Sequence, residues 1–277
     1  MRRRKLSCRL AFAAALCIAS FLGLTAPSHG EMIFVGDMET GDLSQWKTRQ
    51  LPKPDSGGVV SSVAREGNHA LRVLLRRHDE VGRERAEVMP SAHPAFPQFR
   101  NNYHLGEEYW YAVSIYLPPD WVLDDDAETL FQFHASPDRH LREPNTKPPL
   151  ALGIEGTHWR LFIRGDNRPR ITKSDPPQFS QYLQLAPIAP GVWSDWVFRI
   201  KWSCGADGIL QVWKDGQLVA EHYGMNTYND RIGPYLKLGI YKHVWIRKPT
   251  NTDRREVYFD SLRIMRGTSS YEEMVAK

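Results

Sequence analysis

Three short segments, far apart in the chain, carry side chains of the kinds that grip an anion and move a proton. They are Arg85-Ala86-Glu87, Gln132-Phe133-His134 and Tyr235-Leu236-Lys237-Leu238-Gly239-Ile240-Tyr241. Within each, the polar groups stand two or four residues apart. Side chains alternate between the faces of a β-strand, so residues two apart share a face, roughly 7 Å from one another. If the three strands are neighbours, one face gathers an Arg, a Gln, a His, a Lys and a Tyr.

Side-chain chemistry suggests a role for each. Arg85 has a planar fork of donors and a permanent charge, which suits a carboxylate. Gln132 can donate an amide N–H to the same group without titrating. His134 can act as a base near neutral pH or simply as a donor. Tyr241 can be base, acid or both, and Lys237 and Arg85 supply the positive charge a phenolate would need. Each has a structural rival. Arg85 and Glu87 can form an ion pair on a strand, His134 can be a satisfied sheet histidine, Tyr235 a core aromatic, and Lys237 a solvated edge residue.

The elements that must position these groups read as all-β. Alternating runs recur at Ala70 to Leu75, Trp110 to Leu117, Leu150 to Ile154, His158 to Arg164, Trp196 to Trp202, Ile209 to Trp213, Tyr235 to Tyr241 and Glu256 to Met265, separated by Gly, Pro, Asn and Asp. Asp215-Gly216 fits the positive φ angles of a type I′ hairpin turn. Only Tyr271 to Lys277 reads as a helical turn. Strands at this spacing, with no repeat and no linker, predict a sandwich or jelly roll of two stacked antiparallel sheets. Trp196, Phe198, Ile200 and Trp202 alternate along one core-facing side. Tyr103, Trp159, Tyr182 and Trp245 are candidates for stacking on sugar rings.

The first thirty residues read differently. A basic start, Met1 to Lys5, precedes an apolar run from Leu10 to Leu24 and small residues at Ser28 and Gly30. That is the layout of a secretory signal peptide, with residues 31–277 as the exported domain. Five of the 36 basic residues lie in this segment and none of the 32 acidic ones, so 31 face 32 in the remainder. The basic balance of the whole chain therefore argues for neither nucleic acid nor membrane as a partner once the signal is cleaved. Cys8 and Cys17 fall in the same segment, leaving Cys204 alone as a thiol with no activating partner.

The three segments resemble the signature blocks of jelly-roll polysaccharide lyases. In alginate lyases of that fold the blocks read roughly Arg-Ser/Thr-Glu-Leu, Gln-Ile-His and Tyr-Phe-Lys-x-Gly-x-Tyr, in this order. Gly106 to Tyr111 and Gly191 to Trp196 resemble the glucuronan lyase and heparin lyase I group. The resemblance covers nearly all of the chain after the first thirty residues. It implies a concanavalin A-like jelly roll, one of whose sheets forms a concave substrate groove. It implies an exported enzyme, periplasmic or secreted, that cleaves a uronic-acid-containing anionic polysaccharide by β-elimination. Tyr241 and His134 then form the acid/base pair, Gln132 and Arg85 neutralise the carboxylate, and Lys237, Tyr235 and Glu87 line the substrate.

This chain departs from the alginate lyase pattern at Ala86, Val88 and Lys242-His243, and the last change puts the choice of uronic acid in doubt. No cofactor is needed for the elimination. Related jelly rolls tie their ends together with a calcium ion, for which Glu39 and Asp260 are the candidate ligands, with plain surface acids as the alternative. A monomer is expected. Arg160, Arg164, Arg170 and Lys173 are basic groups a sulfated substrate would want, or else solvated surface charges. Two rivals remain: a non-catalytic carbohydrate-binding jelly roll, and a glycoside hydrolase of the same fold. The hydrolase needs a close pair of carboxylates that the strands do not show.

Overall fold

A computed structural model describes residues 30–46, 48–79, 84–91 and 95–275. The expected signal segment, Gly30 apart, lies outside the described residues. Among those described, fifteen strands, numbered in chain order, form two antiparallel sheets. One runs β13 (Gln217–Tyr223), β12 (Ile209–Lys214), β11 (Trp193–Lys201), β6 (Glu108–Tyr116), β15 (Arg254–Arg266), β4 (Ala70–Arg76), β3 (Gly57–Val60), with β1 (Glu31–Gly36) also paired to β15. The other runs β10 (Phe179–Pro187), β9 (His158–Gly165), β8 (Leu150–Gly156), β7 (Asp124–Ser136), β14 (Ile232–Tyr241), β5 (Arg85–Met89), β2 (Thr48–Gln50). Hairpins such as β12–β13 and β7 to β10 lie beside strands far apart in sequence, β6 beside β15 and β7 beside β14 among them, as the crossing connections of a jelly roll require.

Alternation explains the packing. Phe131 and Phe133 of β7, Leu236, Leu238 and Ile240 of β14, and Leu161 and Ile163 of β9 point inward from the second sheet. Tyr111, Val113 and Ile115 of β6 and Trp196, Phe198 and Ile200 of β11 meet them from the first. Phe131 stacks on Phe198 across the two layers, centroids 5.1 Å apart, and Phe133 meets Trp202 edge-on at 4.9 Å. Because the inward residues of β5, β7 and β14 are fixed in this core, their alternate residues must emerge together on the outer face.

Local signals behave as read. Asp215 and Gly216 take φ of 49° and 83° in the turn between β12 and β13, the two positive angles a type I′ turn needs. The short helix α1 (Tyr271–Val275) begins with a reciprocal capping box between Ser270 and Glu273.

At one end of β14 the two sheets are joined by buried charge. Lys242 Nζ lies 3.1 Å from Asp124 and 3.3 Å from Glu128, and Arg255 Nε donates to Glu128 at 2.7 Å. Removing one member would strand an opposite charge in the interior, which is worth about 3–5 kcal/mol.

Candidate active site

Strands β5, β14 and β7 are consecutive in the second sheet, and their register sets the site. Arg85 pairs with Tyr241, and Glu87 with Gly239. On the other side of β14, Lys237 pairs with Gln132, and Tyr235 with His134. All seven polar side chains named from the sequence therefore share the outer face. Gly239 is glycine because β5 comes too close for anything else. With φ at 142°, a Cβ there would overlap the Ala86 carbonyl oxygen and sit 2.7 Å from Glu87 Cα.

Glu87 is the hub of the arrangement. Its side chain is 3% exposed, and three donors converge on it. Arg85 lies 3.3 Å away, Lys237 Nζ 3.1 Å away, and the Gln132 amide donates to its other oxygen. Lys237 also donates to Gln50 Oε1 at 2.6 Å. Two cations and one buried carboxylate leave a net positive centre, held in fixed orientation by charge-assisted bonds. Burial lowers the Lys237 pKa below that of an ordinary amine, against the pull of Glu87. The amide of Gln132 still has a second N–H to give.

A tyrosine–histidine pair flanks this centre on each side. At one end the rings of His134 and Tyr235 lie 5.4 Å apart. His134 Nδ1 is 3.0 Å from the Ala135 carbonyl oxygen, which can only accept, so Nδ1 carries the proton and Nε2 keeps its lone pair. At the other end the Tyr241 hydroxyl is 2.7 Å from His243 Nδ1, and the Arg85 guanidinium covers the Tyr241 ring at 4.3 Å. Burial lowers the pKa of His134, with the charges of Lys237 and Arg85 adding to the effect. Burial raises that of Tyr241, outweighing the opposing charge of Arg85. The centre thus holds a neutral imidazole with a free lone pair and a phenol that keeps its proton. Arg85 and Glu87 act on both groups electrostatically.

A family model described as polysaccharide lyase matches residues 38–263. The chain belongs to this polysaccharide lyase family. Among solved structures, the lyase is similar to an endo-β-1,4-glucuronan lyase from the fungus Trichoderma reesei. The TM-score is 0.71 at 21% identity, covering 88% of this chain and 98% of that one. It is also similar to alginate lyase Aly36B in complex with an alginate trisaccharide, at a TM-score of 0.55 and 14% identity over 86% and 98% of the chains. Both likenesses concern the fold. None of the curated protein sequences compared with it matches.

The remaining sequence candidates of the lyase divide. Tyr103, Trp159 and Trp245 do not meet sugar, since all three are sealed in the core and only Tyr182 is exposed. Their alternation on strands or their packing against neighbouring aromatics put them inward, which type alone does not reveal. Lys237 is not an edge residue, because β14 is flanked on both sides. Arg85 and Glu87 do pair, yet within a larger cluster than the expected ion pair.

Glu39 and Asp260 hold opposite ends of one loop. Glu39 Oε1 accepts the amides of Asn68 and His69, and Asp260 Oδ2 those of Arg65 and Glu66. Both carboxylates thus already serve as backbone acceptors that pin the loop. Among the described residues no group of three or more His, Cys, Asp or Glu is placed to hold a metal ion. The sequence marks His243 only as a departure from the alginate lyase pattern; its bond to Tyr241 went unread, because a single histidine past the end of a strand carries no periodic signal.

Proposed function

We propose that this lyase is exported and cleaves a uronic-acid-containing anionic polysaccharide by β-elimination at the centre between His134 and Tyr241. The observation that carries the reading is the gathering of Arg85, Gln132, His134 and Tyr241 on one face around the buried Glu87.

The difficulty in this reaction is the C5 proton, which is poorly acidic beside a carboxylate that is already negative. Arg85 and the remaining N–H of Gln132 neutralise that carboxylate and stabilise the enolate-like charge that develops on it. Donors held in advance toward developing charge usually contribute more than any other effect to such catalysis, and losing one costs on the order of 10²–10³ in rate. The protonation states then divide the labour. Nε2 of His134 takes the C5 proton and the Tyr241 hydroxyl gives its proton to the leaving O4 as the C4–O bond breaks, which requires the two side chains, rooted at opposite ends of the centre, to close on one sugar ring. The products are a chain with a new reducing end and a chain that begins with an unsaturated uronate.

Glucuronan is the substrate to try first. The glucuronan lyase has the higher TM-score of the two relatives described, and this chain departs from the alginate lyase pattern after Tyr241. The test is ultraviolet absorbance of the unsaturated product on a panel of polyuronates, with Tyr241→Phe alongside. A rise on one polymer that the variant loses is the expected result. A flat trace with tight binding would replace the lyase scheme with the carbohydrate-binding reading.

A further inference from the structure

Two strands beyond Gln132, the same outer face carries a second positive cluster. Arg160, Phe162 and Arg164 alternate along β9, opposite the core residues Trp159, Leu161 and Ile163. Both guanidiniums fold over the Phe162 ring, Cζ to centroid 5.0 Å for Arg160 and 4.4 Å for Arg164. Among the described residues neither has an ion-pair partner. The carboxylate that acts most on Arg160 is Glu155, whose Oε2 accepts from Tyr182 at 3.0 Å instead. Arg160 Nε is buried with no hydrogen-bond partner. Arg164 is 8% exposed, and its guanidinium donates from NH1 to the Pro148 carbonyl at 2.8 Å. Two like charges drawn together on one ring, largely out of water and without a counter-ion, are unfavourable unless an anion joins them.

The register ties this cluster to the reaction centre. Phe162 pairs with Ala151 of β8, Ala151 with Gln132, and Gln132 with Lys237. A second row runs from Arg160 through Gly153 and Thr129 to Tyr241 and Arg85. In the rows that join the two charged clusters, β8 contributes Ala151 and Gly153, with Glu155 next on the same face beyond the Arg160 row and bonded to Tyr182. Gly153 is forced to be small, since a Cβ there would overlap the Glu128 carbonyl where β7 bulges toward it. Two strand spacings separate Phe162 from Gln132, about 10 Å, a span on the scale of a couple of sugar rings.

We propose that Arg160 and Arg164, with Phe162 between them, form a distal subsite that binds the carboxylate of a second uronate in the same polysaccharide chain, the ring of that sugar resting on the exposed Tyr182. The inference rests on the polyuronate reading of the centre and deepens it. The subsite makes the enzyme favour long chains over short ones, because only a chain that crosses β8 reaches both clusters.

The test uses uronate oligosaccharides of graded length, from disaccharide to polymer, on the wild-type protein, Arg160→Gln and Arg164→Gln. Each substitution is expected to raise KM for long substrates by about 10-fold or more, the worth of a charge-assisted hydrogen bond. It should leave kcat at saturation and the KM of substrates too short to span β8 unchanged. Arg160 Nε has no protein partner to lose, so Arg160→Gln should not lower Tm; a merely structural arginine would. Equal KM at every length, an equal shift for short and long substrates, or a fall in Tm with no length dependence would each overturn the subsite. Should the wild-type protein cleave nothing, the elimination scheme falls, and calorimetric binding of the same oligosaccharides still decides the subsite. Weaker binding by the variants to long oligouronates, absent when their carboxylates are methyl-esterified, would uphold it. Equal binding by wild type and variants would sink it.

Discussion

The hydroxyl of Tyr241 and Nδ1 of His243 lie 2.7 Å apart at the end of β14, so the phenol proposed to protonate the leaving oxygen shares a hydrogen bond with a neutral imidazole. His243 orients the hydroxyl through this hydrogen bond. Tyr241→Phe removes the proton itself and should lower kcat by about 10²–10⁴-fold, the usual worth of a positioned acid or base. His243→Ala removes only one hydrogen bond and should lower kcat by roughly fivefold, corresponding to about 1 kcal/mol. Initial rates of product absorbance compare the two. Equal losses in both variants would assign the proton transfer to the pair rather than to Tyr241.

The pH profile follows from the directions of the two shifts. Burial depresses His134 below the ordinary 6.5, so its base form persists to lower pH, and the acid limb of kcat/KM should lie below 6.5. Burial raises Tyr241 above the ordinary 10.0, so its proton persists to higher pH, and the alkaline limb attributable to it lies above 10.0. His134→Gln should erase the acid limb along with most of the rate. Stability moves with the same histidine. Below pH 6.5 the unfolded chain binds a proton that the folded His134 declines, so its contribution is present above 6.5 and is lost as pH falls toward the folded value. Denaturant midpoints from pH 7 downward should fall less in His134→Gln than in wild type.

Glu87 holds Arg85, Lys237 and Gln132 in place, and it is buried. Glu87→Gln leaves Lys237 as a desolvated cation with weaker partners. A broken buried pair costs about 3–5 kcal/mol, read from urea unfolding. The double variant Glu87→Gln/Lys237→Met removes both charges and should regain part of that loss while remaining inactive. If the double variant is no more stable than the single one, Lys237 is compensated by Gln50 instead.

Much of this site was legible in the sequence because it follows the period of a strand. Arg85 and Glu87, Gln132 and His134, and Tyr235, Lys237 and Tyr241 alternate with Ala86, Phe133, Leu236 and Ile240, and a two-residue period fixes a shared face without further knowledge. The order of strands across the sheet is different. That β14 lies between β5 and β7 depends on crossings between segments far apart in the chain, and no local pattern encodes them. For the same reason the hub role of Glu87 stayed hidden, since its partners Gln132 and Lys237 come from the two other strands. The sequence also ranks aromatics poorly. Trp159 and Tyr182 both sit beside alternating residues, yet one is sealed in the core and the other opens on the outer face, because Trp159 falls in the inward phase of β9 and Tyr182 in the outward phase of β10.

Gly239 offers the sharpest test that register, rather than composition, makes the site. It sits between Lys237 and Tyr241 and directly across from Glu87, in a conformation with φ of 142° that side-chain-bearing residues rarely adopt. Gly239→Ala would press a methyl group into the Ala86 carbonyl and within 2.7 Å of Glu87 Cα. To admit it, β5 must move away from β14, which separates Arg85 from the Tyr241 ring and pulls Glu87 from Lys237. The backbone strain alone is worth about 1–3 kcal/mol, and lost pairing adds to it. The substitution leaves every polar group of the centre chemically intact. Gly239→Ala should nonetheless lower kcat/KM by at least about 10²-fold at temperatures where circular dichroism shows it folded. A folded variant with wild-type kcat/KM would mean that the spacing of β5 and β14 does not govern the chemistry.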